Sequence, residues 1–172
     1  MVTVSPRWWW KSSLLSKAGV APPRTMAELT AAAKAVTTKD RGGFFAGNDG
    51  GVGVLAQMLI WSAGQEMINE AQDGIGFDNA DGYAALAAFR DLRTSGGLLT
   101  SASKDWFDAS ALVNEETAMQ WTGLWNLPQI TEAFGDDVGV LPFPSIGSGG
   151  RQAVPFGAFG STVAAKGTDP DA

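Results

Sequence analysis

Tryptophan is the residue type with the clearest chemical potential in this sequence. Seven tryptophans accompany a single tyrosine, and three of them are consecutive, at Trp8, Trp9 and Trp10. An indole ring offers a large flat apolar face and one N–H donor, so it serves hydrophobic cores and stacking sites alike. Alternation along a strand would direct Trp8 and Trp10 to one face and Trp9 to the other. Trp125 follows Gly123, and this segment predicts a turn that presents the Trp125 ring.

Carboxylates are the second candidate group, because glycosidases work with a pair of them. Asp105, Asp108, Glu115 and Glu116 lie near one another in the sequence. Glu115 and Glu116 are adjacent, and on a regular helix adjacent side chains point in different directions. We therefore expect solvated surface charges here, and a paired-carboxylate glycoside hydrolase is kept as the alternative function.

The residues that are absent exclude several kinds of chemistry. The sequence has no cysteine and no histidine, so Ser-His-Asp and Cys-His catalysis and zinc sites built on thiolate or imidazole are excluded. A glycine-rich phosphate loop with its lysine is also missing. No cofactor or metal is predicted, and the chain is not expected to be an enzyme.

Charge and length limit the partners further. The net charge is -6, and no basic stripe could follow a phosphate backbone, so a nucleic-acid partner is not expected. No apolar run reaches the roughly 20 residues that span a bilayer. The first residues lack the pattern of a signal peptide. With 45% apolar and 17% charged residues, the chain can bury a core of its own.

Helices alternate with short strands along the chain, which favours an α/β fold. Thr25 and Glu28 form a capping box that opens a helix over about 25–37. Further helices are predicted over 12–19 (with a Ser cap and a Gly stop), from Leu55 to about 63, over about 80–95 behind Asp78-Asn79, from Asp108 or Ser110 to near 114, and over 127–134. Short strands are predicted over 42–47, 117–121, 138–141 and 161–165.

Several polar and glycine positions allow both a binding and a structural interpretation. Gln57 is the one polar residue of an apolar helix, so it either meets a ligand hydroxyl or bonds to backbone. Asn48 and Asp49 either face a binding cleft or form a turn and cap. Trp61 ends the same apolar helix and suits core packing or ligand contact. Gly157 either permits close backbone approach or bends the chain.

About seven ordered segments resemble those of the sugar-type solute-binding proteins, the extracytoplasmic receptors of ATP-binding-cassette importers. Trp8–Val20 followed by Pro22–Leu29 resembles the family's passage from an aromatic pair with Asn-Lys to Pro-Lys-Thr-Trp-Glu-Glu-Leu. Gly123-Leu-Trp125 stands where the family has Gly-Pro-Trp. The remaining matches are 61–65, 76–97, 114–119, 138–144 and 154–157. Trp10 replaces the usual Asn, and Leu124 replaces a small residue or Pro.

The resemblance implies a fold and a role. It implies an α/β, type II periplasmic-binding-protein-like fold, mostly the second lobe (1–141), with 142–172 as the hinge crossing and start of the return into the first lobe. It implies a sugar or oligosaccharide held in an inter-lobe cleft, with Trp125 as the stacking ring and Trp8, Trp9 and Trp10 at the crossing.

Partners and location also follow from the resemblance. The family implies an extracytoplasmic protein, periplasmic or at the cell surface, that docks on the membrane permease subunits of the importer. Its members are roughly twice as long or more, so the first lobe is missing from this sequence and the chain is interpreted as a fragment. A truncated product without a competent ligand site is therefore kept as a further alternative.

Overall fold

The computed structural model describes residues 6–48, 50–147 and 151–153, which contain five strands and six helices. The strands are β1 (Pro6–Lys11), β2 (Gly42–Phe45), β3 (Leu98–Leu99), β4 (Thr117–Gly123) and β5 (Val138–Leu141). The helices are α1 (Ser12–Lys17), α2 (Met26–Val36), α3 (Gly50–Ser62), α4 (Ala80–Thr94), α5 (Ser110–Val113) and α6 (Leu127–Phe134), and a 3-10 turn at Leu124–Asn126 precedes α6.

The five strands form one mixed sheet in the order β3-β2-β4-β1-β5. Strand β2 is parallel to β3 and β4, while β1 is antiparallel to both of its neighbours, β4 and β5. All strands except β1 therefore end at the same side of the sheet, where β1 begins. We call this side the carboxyl edge. In open α/β sheets, ligands bind outside the carboxyl ends of the strands.

Helices cover both faces of the sheet. The larger apolar cluster contains side chains of α1 to α4 together with Trp8, Trp10 and Trp121 of the sheet. On the other face, Trp9 forms a smaller cluster with residues of α5 and α6. The rings of Trp8 and Trp10 stack with their centroids 4.4 Å apart, which confirms the alternation predicted for the three consecutive tryptophans.

Local signals placed several helices correctly. The capping box is present at α2: the Thr25 hydroxyl accepts from the Glu28 N–H, and the Glu28 carboxylate accepts from the Thr25 N–H. The side chain of Asn79 caps α4 by accepting from two backbone N–H groups. The predicted 127–134 helix and 138–141 strand match α6 and β5.

Other local predictions were wrong in detail. Helix α3 begins at Gly50, five residues before the predicted start. Its first turn packs closely, since a Cβ on Gly51 would come within 1.9 Å of the Ala46 carbonyl oxygen. The predicted serine cap of α1 is absent: its N-cap residue is Lys11, whose side chain makes no capping hydrogen bond, and the Asp137 carboxylate accepts from the Ser13 N–H at 2.7 Å instead. The predicted 161–165 strand lies outside the described residues.

The helices of the described ranges are all too short or too polar to cross a bilayer.

Candidate functional site

A row of three tryptophan rings runs from the core to the surface at the carboxyl edge. The Trp121 ring in β4 is fully buried and stacks on the half-buried ring of Trp106, with centroids 5.2 Å apart and an interplanar angle of 14°. The Trp106 ring in turn meets Trp125 edge-on at 5.5 Å. Trp125 is 39% exposed. The row therefore ends in an indole whose position is supported from below by two others.

The Trp125 ring is held by its own turn. It lies over Gly123, where an added Cβ would come within 1.9 Å of the ring. Its Nε1 donates to the Phe107 carbonyl oxygen at 2.7 Å, and the Asn126 side chain donates to the same oxygen at 2.9 Å. Because the edge donor is already used, the exposed part of the indole offers an apolar surface. Such surfaces suit the C–H face of a sugar ring, while polar groups nearby can serve its hydroxyls.

Asn48 joins the loops that follow β2 and β3. Its Oδ1 accepts from the Ala102 N–H at 2.9 Å, and its own N–H donates to Asp105 Oδ1 at 2.8 Å. Asp105 Oδ1 also accepts from the Trp106 N–H at 2.7 Å. The polar groups of Asn48 thus shape the carboxyl edge by fixing the loop that carries Trp106. Asp49 and Gly157, two further candidates for ligand binding from the sequence, lie outside the described residues.

Trp8 and Trp10 require a correction as ligand contacts. Trp8 is 0% and Trp10 is 7% exposed, and both point into the core between the sheet and the helices. The reason is their strand: β1 lies between β4 and β5, and its faces are both covered, so neither ring presents a surface to a solute in this structure. Trp9, on the opposite face, is 1% exposed.

Gln57 and Trp61 lie on α3 and not on the row of rings. Both are half-buried. Trp61 lines a separate cavity of about 370 Å³. The other residues that line this cavity are Glu66, Arg151, Gln152 and Ala153. The structure therefore brings Trp125 and Asn48 to the same edge of the sheet and places Trp61 at another concave surface.

The four carboxylates considered for hydrolysis have local structural partners. Glu115 pairs with Lys11 at 2.5 Å, and this contact lowers the pKa of Glu115. The hydrogen bond from the Ser110 hydroxyl lowers the pKa of Asp108. Glu116 accepts from the Ser103 N–H at 2.9 Å. A general acid at neutral pH needs a raised pKa, and the shifts at Glu115 and Asp108 have the opposite direction.

Trp106 and the unpartnered donors beside it were missed from the sequence. Trp106 lies in a loop of otherwise small and polar residues directly after β3, and an isolated Trp-Phe pair in such a loop was the available signal. The Nε1 atoms of Trp8 and Trp121 are buried without a hydrogen-bond partner in the described part of the chain. Trp8 and Trp121 are paired residues of β1 and β4, and Trp121 is the buried end of the row of rings.

The mixed sheet with one reversed strand, helices on both faces and an aromatic carboxyl edge defines a lobe of the type II periplasmic-binding-protein fold. The sequence pattern of the family described as bacterial extracellular solute-binding protein matches residues 8–172. The chain belongs to this family, whose members are the solute receptors of ATP-binding-cassette transporters. The comparison with curated protein sequences finds no match.

Solved structures agree with this assignment. The GacH receptor of Streptomyces glaucescens GLA.O, determined unliganded and in complex with acarbose, is 28% identical with a TM-score of 0.69, over 90% of this chain. T. maritima MalE3 with bound maltose is 26% identical with a TM-score of 0.71, also over 90%. UgpB from Mycobacterium tuberculosis shares the fold at 16% identity and a TM-score of 0.72. The chain spans 40%, 41% and 39% of these three structures.

Proposed function

We propose that this chain is a sugar-binding part of the extracytoplasmic solute receptor of an ATP-binding-cassette importer. The ligand is a sugar or oligosaccharide that lies against the carboxyl edge, in a cleft closed by a second lobe. The exposed face of Trp125 is the observation that carries the proposal. The chain performs no chemistry on the ligand, and its role is to bind the solute and deliver it to the membrane permease subunits.

The physical support comes from the row of rings. Trp106, which stacks on Trp121, contacts Trp125, and the missing side chain at Gly123 leaves room for the Trp125 ring, so little freedom is lost when a sugar stacks on it. Preorganised aromatic surfaces gain affinity in this way. GacH and MalE3, the two relatives above 25% identity described above, were determined with the sugar ligands acarbose and maltose.

We also propose the domain division that membership of the family implies. Residues 1–141 form the second lobe and residues 142–172 form the hinge crossing and the start of the return into the first lobe. Closure of two such lobes around a solute is a hinge motion, and the closed form presents a surface to the permease.

Isothermal titration calorimetry of the full 172-residue chain against maltose, maltotriose, acarbose and laminaribiose tests the proposal. We expect saturable binding that Trp125→Ala removes. Trp125→Phe keeps a flat ring without the N–H to Phe107 and should retain part of the affinity. Ile75→Ala is the matched control, because Ile75 is an exposed apolar residue of the 63–79 loop and its loss should leave binding unchanged.

Two results of the titrations would contradict the proposal. If the folded chain binds none of these sugars, or if Trp125→Ala binds as tightly as the parent chain, the carboxyl edge is not a sugar site.

Chromatography of the sugars after incubation with the chain tests the alternative function, a glycoside hydrolase. Cleavage that disappears in Asp105→Asn or Glu116→Gln would replace the binding function with an enzymatic one.

A further inference from the structure

Phe107 is an exposed aromatic residue of the carboxyl edge. Its side chain is 59% exposed, compared with 39% for Trp125. It belongs to neither of the two apolar clusters, and no aromatic ring of the described ranges stacks on it. An apolar side chain stabilises a fold in proportion to the surface it buries, so the chain gains little stability from this ring.

Phe107 shares a hydrogen-bond acceptor with the turn that carries Trp125. Its carbonyl oxygen accepts from Trp125 Nε1 at 2.7 Å and from the Asn126 side chain at 2.9 Å. The Phe107 Cα is therefore no more than about 5.5 Å from the indole nitrogen, because only the carbonyl bond and the Cα–C bond separate it from that oxygen. The two exposed rings extend from neighbouring points of the same edge.

The backbone on both sides of Phe107 is fixed. On one side, Trp106 stacks on the buried ring of Trp121. On the other side, the side chain of Gln120 donates to the Asp108 carbonyl oxygen at 2.8 Å, and Gln120 is itself fully buried. The exposed ring is thus carried by a defined backbone, and little backbone freedom remains to be lost when a ligand covers it.

Asn126 sets the spacing between the loop of Phe107 and the end of β4. It is a buried polar residue, and its Nδ2 donates to Thr122 Oγ1 at 2.7 Å as well as to the Phe107 carbonyl oxygen. A single amide group therefore joins the two segments. Together with the hydrogen bond of the Trp125 indole, it keeps the two exposed rings on one frame.

Two separate apolar surfaces on a fixed frame suit a ligand whose apolar faces repeat. A linear oligosaccharide has this property, because every sugar ring presents a C–H face and a glycosidic oxygen joins it to the next ring. Apolar surfaces of this kind, with a few polar groups beside them, are typical of small-molecule sites. A monosaccharide on Trp125 would leave Phe107 in water.

We propose that Phe107 is the second stacking surface of the site and gives it a preference for ligands of at least two sugar rings, an inference that rests on the sugar-binding function proposed above. One ring of the ligand lies on Trp125, and the next ring covers Phe107. Phe107 thereby determines ligand length, while Trp125 determines whether a sugar binds at all.

Saturation-transfer-difference NMR of the full 172-residue chain with maltose, laminaribiose and glucose tests the proposal. The method detects weak binding and reports which ring of a ligand touches the protein. With the parent chain we expect signals from both rings of the disaccharide that binds. Phe107→Ala should lose the signal of one ring and keep that of the other.

Calorimetry measures the accompanying change in affinity. Phe107→Ala should bind the disaccharide about tenfold more weakly, as is common when a contacting aromatic side chain is truncated. The NMR signals of glucose should stay as they are in the parent chain. Trp125→Ala should lose the signals of both the disaccharide and glucose.

Two variants serve as controls. Phe107→Tyr keeps a flat ring at the same position and should restore the signals of both rings. Tyr83→Ala removes an exposed aromatic side chain from α4, which is 57% exposed, and should leave sugar binding unchanged. Circular dichroism checks that each variant is folded.

The outcomes separate this proposal from the sugar-binding function itself. If Phe107→Ala keeps both ring signals and the parent affinity while Trp125→Ala binds no sugar, the sugar site stands and the role of Phe107 is wrong. An equal loss of glucose and disaccharide binding in Phe107→Ala also contradicts that role, because Phe107 would then act on the Trp125 surface and not on ligand length. A folded parent chain that binds no sugar overturns both proposals.

Discussion

At the scale of single residues, Gly123 and Trp125 depend on each other. The indole lies where any larger residue at 123 would put its Cβ, 1.9 Å from the ring. Side chains in protein interiors are in close contact, so a clash of this size moves one of the partners. The ring is the group that can turn away, because Gly123 belongs to the hydrogen-bonded strand β4.

Gly123→Ala should therefore displace the Trp125 ring and weaken sugar binding by about tenfold, equivalent to about 1.4 kcal/mol. Calorimetric titration measures the affinity, and near-ultraviolet circular dichroism reports the changed tryptophan environment. Gly53→Ala is the matched control, because nothing lies within 4 Å of its added Cβ on α3. Unchanged affinity in Gly123→Ala would mean that the ring position does not matter for the ligand.

At the scale of elements, the helix starts are stabilised by two different devices. Helix α2 begins with a capping box whose partners are three residues apart in the sequence. Helix α1 begins with a contact from a distant residue, because Asp137 accepts from both the N–H and the hydroxyl of Ser13. The first device is local, while the second exists only when β5 is in place beside β1.

Thr25→Ala should reduce the free energy of unfolding by about 1 kcal/mol, because the backbone N–H of Glu28 loses its acceptor. Urea denaturation measures the change. The double variant with Glu28→Ala should show a smaller loss than the sum of the two single variants, since the two contacts form one reciprocal unit. Strict additivity would show that they act separately.

Asp137 makes stability depend on pH. The hydrogen bonds from Ser13 lower the pKa of Asp137 in the folded chain. The contact therefore contributes its full stability above the ordinary Asp pKa of about 3.9, and this contribution is lost as the pH falls through that value toward the lower folded pKa.

Comparison of the urea midpoints of the parent chain and Asp137→Asn between neutral and acidic pH tests this dependence. We expect a difference at neutral pH that narrows in acid, and Ser13→Ala should show the same trend. A difference that is constant across this range would assign the effect to shape and not to charge.

At the scale of the whole molecule, two glycines set how closely α2 approaches the sheet. A Cβ on Gly43 of β2 would come within 1.9 Å of the Ala33 carbonyl oxygen, and one on Gly97 would come within 2.6 Å of the Lys34 nitrogen. The neighbouring atoms are backbone, which cannot turn aside. The packing of the larger apolar cluster therefore depends on the absence of side chains at these positions.

Gly43→Ala should destabilise the chain by about 1–3 kcal/mol, because α2 must move away from the sheet. Thermal and urea unfolding measure the loss. Gly147→Ala is the control, since its added Cβ meets nothing within 4 Å. Equal stability of the two variants would show that the contact between α2 and the sheet tolerates displacement.

The sequence by itself determined most of the elements and the family. Caps, glycine stops and apolar runs are local signals, so the starts of α2 and α4 and the position of β5 could be predicted from short segments. The ordered motifs indicated the type II fold, which the match over residues 8–172 confirms. The turn that presents Trp125 was also predicted, because Gly123 and its neighbours define it locally.

Only the tertiary structure decided which aromatic rings are available to a ligand. Trp8, Trp10 and Trp125 are the same residue type, yet two are buried and one is 39% exposed. Their burial depends on the strand order, since β1 lies between two strands and under helices that are distant in the sequence. Trp106 joins the row through contacts with residues 15 and 19 positions away. Alternation predicts which rings share a face, but what covers that face is a non-local property of the folded chain.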